Sequence, residues 1–454
     1  MRSDIGLALA GGVVEGGFYE IGVLCALEEA IDGLTLDQLG VYVGVSSGAL
    51  VSSLLANGVS ARTLSRAIVS QAEPELDLRP EIVFTPAWGE YARRLVALPR
   101  VALGALRRTL DRPSDRSAWA TLLELGAAVP TGIFDGSSVE AYLARALATG
   151  GRANDFRALA AKLRIVAVAL DSSQVVAFGE PGTGHVPIAR AVRASMALPG
   201  LFCPVEIDGR HYIDGVARRT MHASVALREG ARLLFCVNPI VPVDVTPLPA
   251  TTDEATGAGA GAGADAGARP LVRYGLPAVL SQTFRTLVHS RLETGFKSYE
   301  HLYPDADLVL IEPRLADHRL FFSNVFSFSN RQGVCEHGYQ STRRWLAASA
   351  DRLAPVLARH GLALRREVLA EARTLYRERR AVPRAPATGD GATPDASASA
   401  GTSVMPVVAP AAGSGASASP HASPARPRSA AASAVGAVLG QVDRVLERVE
   451  RAFS

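Results

Sequence analysis

Residues 44–48 read Gly-Val-Ser-Ser-Gly, and Ser46 at their centre has the setting of a nucleophile. A short strand-like run leads into this motif, and helix-compatible residues follow it. G-x-S-x-G between a strand and a helix is typical of a nucleophile elbow. The serine there takes a strained backbone conformation, and Gly44 and Gly48 let the strand and the helix approach each other. The motif therefore predicts acyl-transfer chemistry at Ser46.

A glycine-rich loop follows the first apolar run of the chain and contains Gly11, Gly12, Val13 and Gly16. Glycines let backbone N–H groups converge on one point, which suits either the oxyanion of an acyl-transfer intermediate or a phosphate. A dinucleotide site would need G-x-G-x-x-G, and this loop lacks the close glycine pair. A purely structural strand-to-helix turn is the third interpretation.

An Asp-Gly pair at 214–215 ends a strand that returns from a predicted hairpin turn at Asp208-Gly209. The glycine after Asp214 allows an unusual backbone angle that can hold the carboxylate inward. Asp-Gly alone is typical of a turn. Asp214 becomes a catalytic candidate because the two motifs above precede it.

Together the three segments resemble the patatin-like phospholipase family over roughly residues 5–240, with an extension to about 345. The alanine- and serine-rich segment at 193–199 before Asp214 adds to the resemblance. It implies a patatin-like α/β hydrolase fold, with Ser46 as the nucleophile and Asp214 as its catalytic partner. By position, the loop that holds the oxyanion would contain Gly11, Gly12, Val13 and Gly16.

Two residues depart from the family pattern in this loop. Val13 stands where the family usually has a third glycine, and Glu15 stands where it has a basic residue. An acidic side chain beside a developing anion is unfavourable unless it points away. A second hypothesis is therefore a catalytically weak scaffold that binds lipid or a protein partner.

The resemblance implies a Ser–Asp dyad in which Asp214 takes the proton of Ser46 and the serine forms an acyl-enzyme with a lipid ester. The alternative is a triad, for which His222 and His289 follow Asp214 in the required order. His211 precedes the aspartate by three residues and would face the opposite side of a strand. No H-E-x-x-H motif or Cys/His cluster is present, so neither a metal nor another cofactor is expected.

Strand-like runs alternate with helical ones, which predicts a mostly parallel sheet with helices on both faces. The predicted strands are residues 5–10, 40–44, 163–170, 174–178, 211–214, 233–237 and 307–312. Ser46 and the glycine-rich loop would both lie at carboxyl ends of strands, where open α/β sheets bind ligands.

Changes of composition divide the chain into a catalytic domain and several appendages. The predicted divisions are a hydrolase domain at 1–345 with a helical cap-like insertion at 58–135 and a flexible Gly/Ala-rich loop at 251–269, a helical extension at 346–380, a disordered Ala/Pro/Ser-rich linker at 381–432 and an amphipathic helix at 433–454. Within the insertion, residues 88–110 form a basic amphipathic segment. It is either a cap on its own core or a lid that meets lipid.

The terminal helix has apolar residues at three- and four-residue steps and a balanced polar face. About 20 residues are too few for a secure free coiled coil, so its apolar seam should be covered. Three partners are open: the hydrolase domain, a second copy or another protein reached through the linker, and a membrane surface.

The chain has 454 residues, 48% hydrophobic content and a formal net charge of +3. This charge is too small to favour nucleic acid as a partner, and no nucleic-acid motif occurs. Four scattered cysteines give no disulfide framework, and no apolar run is long enough to span a membrane. We expect a cytoplasmic protein with peripheral membrane contact as an alternative, and a lipid or acyl ester as substrate.

Overall fold

The computed structural model describes residues 2–73, 76–98, 126, 129–244, 270–314 and 328–376. The loop at 251–269, the linker at 381–432 and the helix at 433–454 lie outside these residues and remain predictions.

Twelve strands are described. They are β1 (Arg2–Leu9), β2 (Ile31–Asp32), β3 (Leu39–Gly44), β4 (Gly132–Phe134), β5 (Lys162–Ala169), β6 (Val175–Phe178), β7 (Gly200–Phe202), β8 (Val205–Ile207), β9 (Arg210–Asp214), β10 (Leu233–Val237), β11 (Asp307–Ile311) and β12 (Ala363–Leu364).

The described α-helices are α1 (Val13–Ala30), α2 (Ser47–Leu55), α3 (Ala61–Leu64), α4 (Pro80–Val83), α5 (Ser137–Leu147), α6 (Ile188–Ser195), α7 (Ala223–Arg228), α8 (Gly275–Leu302), α9 (Arg331–Ala348), α10 (Ala350–Arg359) and α11 (Arg366–Ala370). A π-helical turn spans Ser65–Val69, and residues 88–98 are also helical.

An eight-stranded sheet forms the centre, with the order β11-β10-β1-β3-β5-β9-β8 and β6 paired to β5. The five strands from β11 to β5 are parallel, and β6, β8 and β9 complete the sheet with antiparallel pairs. The sheet is therefore mostly parallel, and the carboxyl ends of its central strands share one edge.

Helices cover both faces of this sheet, and β1 shows why. Its alternate residues Ile5, Leu7 and Leu9 join a large core with α1, α2 and α6. Ala8 and Ala10 point to the other face and join a smaller core with α7 and α8. The predicted fold class, an α/β fold with a mostly parallel sheet and helices on both faces, is confirmed.

All seven predicted strands are present, and Asp208-Gly209 forms the predicted turn between β8 and β9 with positive φ at both residues. The short strands were missed. One of them, β4, lies in the insertion at 58–135, which was expected to be helical, and pairs with β7 in a separate small sheet. Three residues with few apolar neighbours in sequence carry too little periodicity to be recognised.

The helix α9 runs through the predicted boundary at 345 and ends at Ala348. Beyond it, β12 pairs with β2 and adds a strand to the extension that was predicted as helical. Residues 1–380 form one compact unit.

The backbones of α1 and α9 touch where two glycines meet. A Cβ on Gly22 would overlap the carbonyl oxygen of Cys335, and one on Gly338 would overlap that of Tyr19. Close approach of this kind requires glycine on both helices. It buries α1 on nearly every side, as 14 of its 18 residues are buried.

No helix among the described residues is both long and apolar enough to cross a membrane.

Glu20 on α1 is an acidic side chain in this core. It is 0% exposed, and neither of its carboxyl oxygens has a hydrogen-bond partner among the described residues. Burial raises the pKa of Glu20 well above its usual range, which favours the neutral form. An unsatisfied buried polar group of this kind costs stability.

Replacing Glu20 with an apolar residue of similar length should therefore stabilise the protein. We expect Glu20→Met to raise the free energy of unfolding by about 1–3 kcal/mol in urea denaturation. Glu28→Met on the same helix is the matched control, because the Glu28 carboxylate accepts the N–H of Leu36 at 2.9 Å. That control should lower stability, and a loss of stability in both variants would contradict the analysis of Glu20.

Candidate active site

Ser46 lies at the turn between β3 and α2, at the carboxyl edge of the sheet. Its φ of 53° and ψ of −122° are strained for a residue with a Cβ. A Cβ on Gly44 would lie 2.5 Å from the Cα of Ala49, and one on Gly48 would lie 2.6 Å from the oxygen of Ala10. The two glycines thus allow the tight turn that presents Ser46.

A second serine, Ser195 at the end of α6, holds this turn. Its hydroxyl accepts the backbone N–H of Ser46 at 2.9 Å and donates to the carbonyl of Val166 on β5 at 2.6 Å. Ser195 is fully buried, so both hydrogen bonds are sheltered from water. Sequence analysis placed Ser195 in a family-like segment but gave it no role. A small polar residue on the apolar side of an amphipathic helix was the available signal.

Asp214 ends β9, opposite Ala167 of β5, and is 1% exposed. Its backbone N–H donates to the carbonyl of Ala197 at 3.0 Å, and its Oδ1 accepts the N–H of Val216 at 2.9 Å. These bonds fix the carboxyl group at the edge of the sheet that also carries Ser46.

The other carboxyl oxygen, Oδ2, makes no hydrogen bond of standard geometry among the described residues. The hydroxyl of Ser46 is nonetheless close enough to lower the pKa of Asp214. Burial is the larger effect and raises that pKa to about 7. The structure thus brings Ser46 and Asp214 together, with a carboxyl group that titrates near neutral pH.

The histidines considered for a triad have other contacts. The His222 ring faces the carbonyl oxygen of Gly215 at 3.4 Å, and burial lowers its pKa to about 4. His289 lies 3.7 Å from Glu293 and 3.8 Å from Glu312, and His211 pairs with Glu206 in the β8–β9 hairpin. Among the described residues, no histidine hydrogen-bonds Ser46 or Asp214.

The glycine-rich loop lies directly against Ser46. A Cβ on Gly11 would lie 2.9 Å from the Cβ of Ser46 and would overlap Val216. A Cβ on Gly12 would lie 2.5 Å from the ring of Pro239. Both glycines are therefore required by the close approach of their neighbours.

Three of the four predicted amide donors of this loop are already used within the protein. The N–H of Gly11 donates to Thr220, that of Gly12 to the Ser47 hydroxyl at 3.0 Å, and that of Gly16 to Gly12. The N–H of Val13 makes no hydrogen bond within the described part of the chain, so it is the free one of these four predicted donors. The prediction treated the four residues alike, because sequence does not show which amides are occupied.

Val13 has a φ of 56°, in the left-handed region that disfavours β-branched residues. This is the position where the family pattern has glycine. The chain thus keeps the backbone conformation of a glycine with a valine side chain in place.

Glu15, the other departure, is 4% exposed and lies in the first turn of α1. Its charge raises the pKa of the buried Arg285 on α8, while burial lowers that pKa more strongly. A cation from α8 therefore offsets the acidic side chain near the loop.

An apolar pocket opens beside Ser47 and Val13. It holds about 430 Å³ of empty space, counted with the open space at its mouth. Its lining residues are Val13, Val14, Gly17, Phe18, Ile21, Ser47, Leu50, Val51, Ile68, Leu78, Val83, Val139 and Met196. The Phe18 ring is held edge-on by Phe328, with 5.4 Å between ring centroids.

Within the described residues, no group of three or more His, Cys, Asp or Glu side chains is arranged to hold a metal ion.

A family model described as patatin-like phospholipase matches residues 7–227. Among solved structures, VipD from Legionella pneumophila is 16% identical over 76% of this chain and 67% of that chain, with a TM-score of 0.35. Full-length ExoU from the type III secretion system of Pseudomonas aeruginosa, in complex with SpcU, is 19% identical over 43% of this chain and 38% of that chain, with a TM-score of 0.24. The match to this ExoU chain spans well under half of its length. No curated protein matches the chain significantly.

The titration of Asp214 should be visible as a pH-dependent difference in stability. Since its folded pKa of about 7 exceeds its unfolded value, its contribution is fully present below about pH 4 and is lost as pH rises through 7. Asp214→Asn cannot ionise. We therefore expect it to gain stability relative to the parent chain between these pH values, by roughly 1.4 kcal/mol per unit of pKa shift.

Urea denaturation across this pH range measures the difference. Asp171→Asn, at an exposed position, is the control and should keep the pH dependence of the parent. Parallel curves for Asp214→Asn and the parent would mean that the Asp214 carboxyl group is not desolvated.

Proposed function

Because residues 7–227 belong to the patatin-like phospholipase family, a family of lipid acyl hydrolases, we propose that this chain hydrolyses lipid acyl esters through a Ser46–Asp214 dyad. The observation that carries the proposal is a buried carboxyl group with a pKa of about 7 beside a strained serine, whose neighbour Ser47 lines an apolar pocket.

In the acylation step, the Asp214 carboxylate takes the proton of the Ser46 hydroxyl as its oxygen attacks the ester carbonyl carbon. The protonated Asp214 then returns this proton to the departing alcohol. Ser46 remains esterified with the acyl group. A carboxyl group of ordinary pKa would be a weak base, so the raised pKa of Asp214 improves proton transfer near neutral pH.

The tetrahedral intermediate carries a negative charge on the former carbonyl oxygen. The N–H of Val13 is the free donor of the loop, and it lies at the amino end of α1, where the helix dipole favours an anion. The Gly12 N–H can become a second donor if its hydrogen bond to the Ser47 hydroxyl breaks. We therefore propose that the Val13 N–H is the main donor to the oxyanion, and that Gly11 and Gly16 allow the loop to pack closely against its neighbours.

Water completes the cycle by the same route. Asp214 accepts a proton from a water molecule as the water oxygen attacks the acyl carbon of the acyl-enzyme. Asp214 then returns that proton to the Ser46 oxygen as the fatty acid leaves. The acyl chain occupies the pocket between α1 and α2, whose lining is almost entirely apolar. An extended hydrocarbon suits this pocket, which favours lipid esters over polar ones.

The second candidate is a patatin-like scaffold that binds lipid without appreciable turnover. In its favour, three loop amides are occupied and Asp214 Oδ2 lacks a hydrogen bond of standard geometry among the described residues. A fluorophosphonate separates the two candidates, since it labels an activated serine and leaves an inert one unmodified.

We expect Ser46→Ala and Asp214→Asn each to lower kcat on a water-soluble ester by about 10³-fold or more, because the pair acts as one unit. Ser195→Ala removes the hydrogen bond that holds the Ser46 turn, and should lower kcat by about 10- to 100-fold with little change in KM. Steady-state kinetics and the rate of fluorophosphonate labelling measure these effects.

His222→Ala and His289→Ala are the controls and should keep turnover within a few-fold of the parent chain. If either were as damaging as Ser46→Ala, a triad would replace the dyad. Absence of labelling at Ser46 in a folded parent protein would support the scaffold instead.

Val13→Gly tests the strained loop residue. Glycine adopts a φ of 56° without strain, so we expect a gain of about 1 kcal/mol in unfolding free energy. It also removes a side chain from the pocket, so kcat/KM should shift toward longer or bulkier acyl chains in a series of soluble esters. Val14→Gly, one residue into α1, should instead destabilise by about 1 kcal/mol. If both substitutions destabilised equally, Val13 would not be strained.

A further inference from the structure

The apolar pocket has a smaller cavity beside it, which we call the side cavity. It holds about 240 Å³ of empty space, counted in the same way as for the pocket. Val139 and Met196 line both spaces, so their side chains form the partition between them. The other residues that line the side cavity are Asp135, Gly136, Arg193, Phe202 and Cys203.

The pocket and the side cavity belong to one apolar interior. A row of phenylalanine rings links them, from Phe202 in the side cavity to Phe18 in the pocket. Ring centroids along this row lie 5.6, 5.3, 6.1 and 5.4 Å apart for the pairs Phe202–Phe134, Phe134–Phe84, Phe84–Phe328 and Phe328–Phe18. The partition is therefore a boundary inside the core, and the size of its side chains keeps the two spaces apart.

The partition lies next to the two proposed catalytic residues. Met196 follows Ser195, whose hydroxyl accepts the backbone N–H of Ser46. It precedes Ala197, whose carbonyl accepts the backbone N–H of Asp214. An acyl group esterified to Ser46 therefore begins close to Met196, the residue that separates the pocket from the side cavity.

The two side chains of the partition differ in length and stiffness. Val139 on α5 is buried and β-branched, so its side chain is short and restricted at χ1. Met196 is half-buried and carries a longer, unbranched side chain that adapts to the space around it. The width of the partition therefore depends mainly on Met196.

The walls of the two spaces differ in polarity. The lining of the pocket is apolar except at Ser47. In the side cavity, the Arg193 guanidinium lies 2.6 Å from the Asp135 carboxylate and 2.9 Å from that of Glu140. The Nε of Arg193 is buried without a hydrogen-bond partner among the described residues. A hydrocarbon chain is thus better placed in the pocket, and the partition separates it from these ion pairs.

We propose that Met196 makes this site selective for unbranched acyl groups. Its side chain directs the acyl chain into the apolar pocket and closes the side cavity to a second branch. This selectivity rests on the proposed function, because the acyl group has to be bonded to Ser46. The closure of the side cavity does not depend on turnover and can be tested separately.

The test of selectivity compares p-nitrophenyl octanoate with p-nitrophenyl α-ethylhexanoate. The two acyl groups are isomers, so they differ in branching beside the carbonyl and not in carbon number. We expect Met196→Ala to raise kcat/KM for the branched ester relative to the straight one by about tenfold or more, because a branch can fill the space that the thioether leaves. Steady-state kinetics of the parent chain and the variant measure this ratio.

Ile68→Ala is the matched control. It removes the same number of heavy atoms from a residue that lines the pocket but not the side cavity, so the ratio should stay within a few-fold of the parent. Met196→Leu conserves volume and should keep the ratio as well. Val139→Ala shortens the same partition from α5 and should shift the ratio in the same direction, which serves if Met196→Ala does not fold. An unchanged ratio in a variant of Met196 or Val139 to alanine that keeps its melting temperature would overturn the proposal.

Cys203 reports on the side cavity without turnover. It is half-buried, whereas the other three cysteines of the chain are buried, so a maleimide modifies Cys203 first. In the full chain carrying Ser46→Ala, we expect hexadecanoate to leave the rate of Cys203 alkylation unchanged. With Met196→Ala added, hexadecanoate should slow alkylation by about threefold or more, because the chain then enters the side cavity.

Slowing by hexadecanoate while Met196 is present would show that the side cavity is open, and would overturn the closure. The same conclusion would follow if hexadecanoate bound without slowing alkylation in the Met196→Ala chain. Absence of ester turnover in a folded parent chain that shows the expected alkylation rates would overturn the proposed function and leave the closure of the side cavity intact.

Discussion

The two hydrogen bonds of the Ser195 hydroxyl are the interaction on which the site depends. The backbone of Ser46 is in a conformation that a residue with a Cβ adopts only when its surroundings impose it. Ser195 supplies that constraint from α6, and the same hydroxyl is bonded to β5, the strand that pairs with β9 at Asp214. The turn and the carboxyl group are thus positioned from one strand. Loss of the Ser195 hydrogen bonds would therefore displace both the turn and the carboxyl group.

Burial of Asp214 raises its pKa, which suits it to proton transfer, but burial of charged groups also lowers the stability of the protein. The environment that raises the pKa of Asp214 is the same low-dielectric interior that penalises every charge placed in it. Glu15 and Arg285 share that interior and carry opposite charges, so the acid near the loop is offset from α8. The strained φ values of Val13 and Ser46 are borne in the same small region. Stability and reactivity compete here within a few residues.

The central strands could be predicted from sequence because they depend on local patterns, since the β1, β3 and β10 runs are apolar. The proximity of Ser46 to Asp214 was implied by the resemblance to a known family, because β9 is antiparallel to β5 and the shared edge of parallel strands does not place Asp214. The occupancy of the loop amides could not be predicted, since Gly11 donates to Thr220 across the fold. The interaction of Glu15 with Arg285 joins residues 270 positions apart, and α9 continues through the predicted boundary at 345 because it packs on α1 rather than on its sequence neighbours.

The contacts of Gly22 with Cys335 and of Gly338 with Tyr19 show that the folded unit extends beyond the segment that the family model matches. The segment that the family model matches ends at residue 227. The segment that folds extends further, because β10 and β11 complete the sheet beside β1 and α9 covers α1. A chain cut after residue 227 would leave β1 as an open edge and one side of α1 bare to water. The segment that the family model matches is therefore smaller than the unit that folds, and residues 7–227 alone would contain Ser46 and Asp214 without the strands and the helix that cover them.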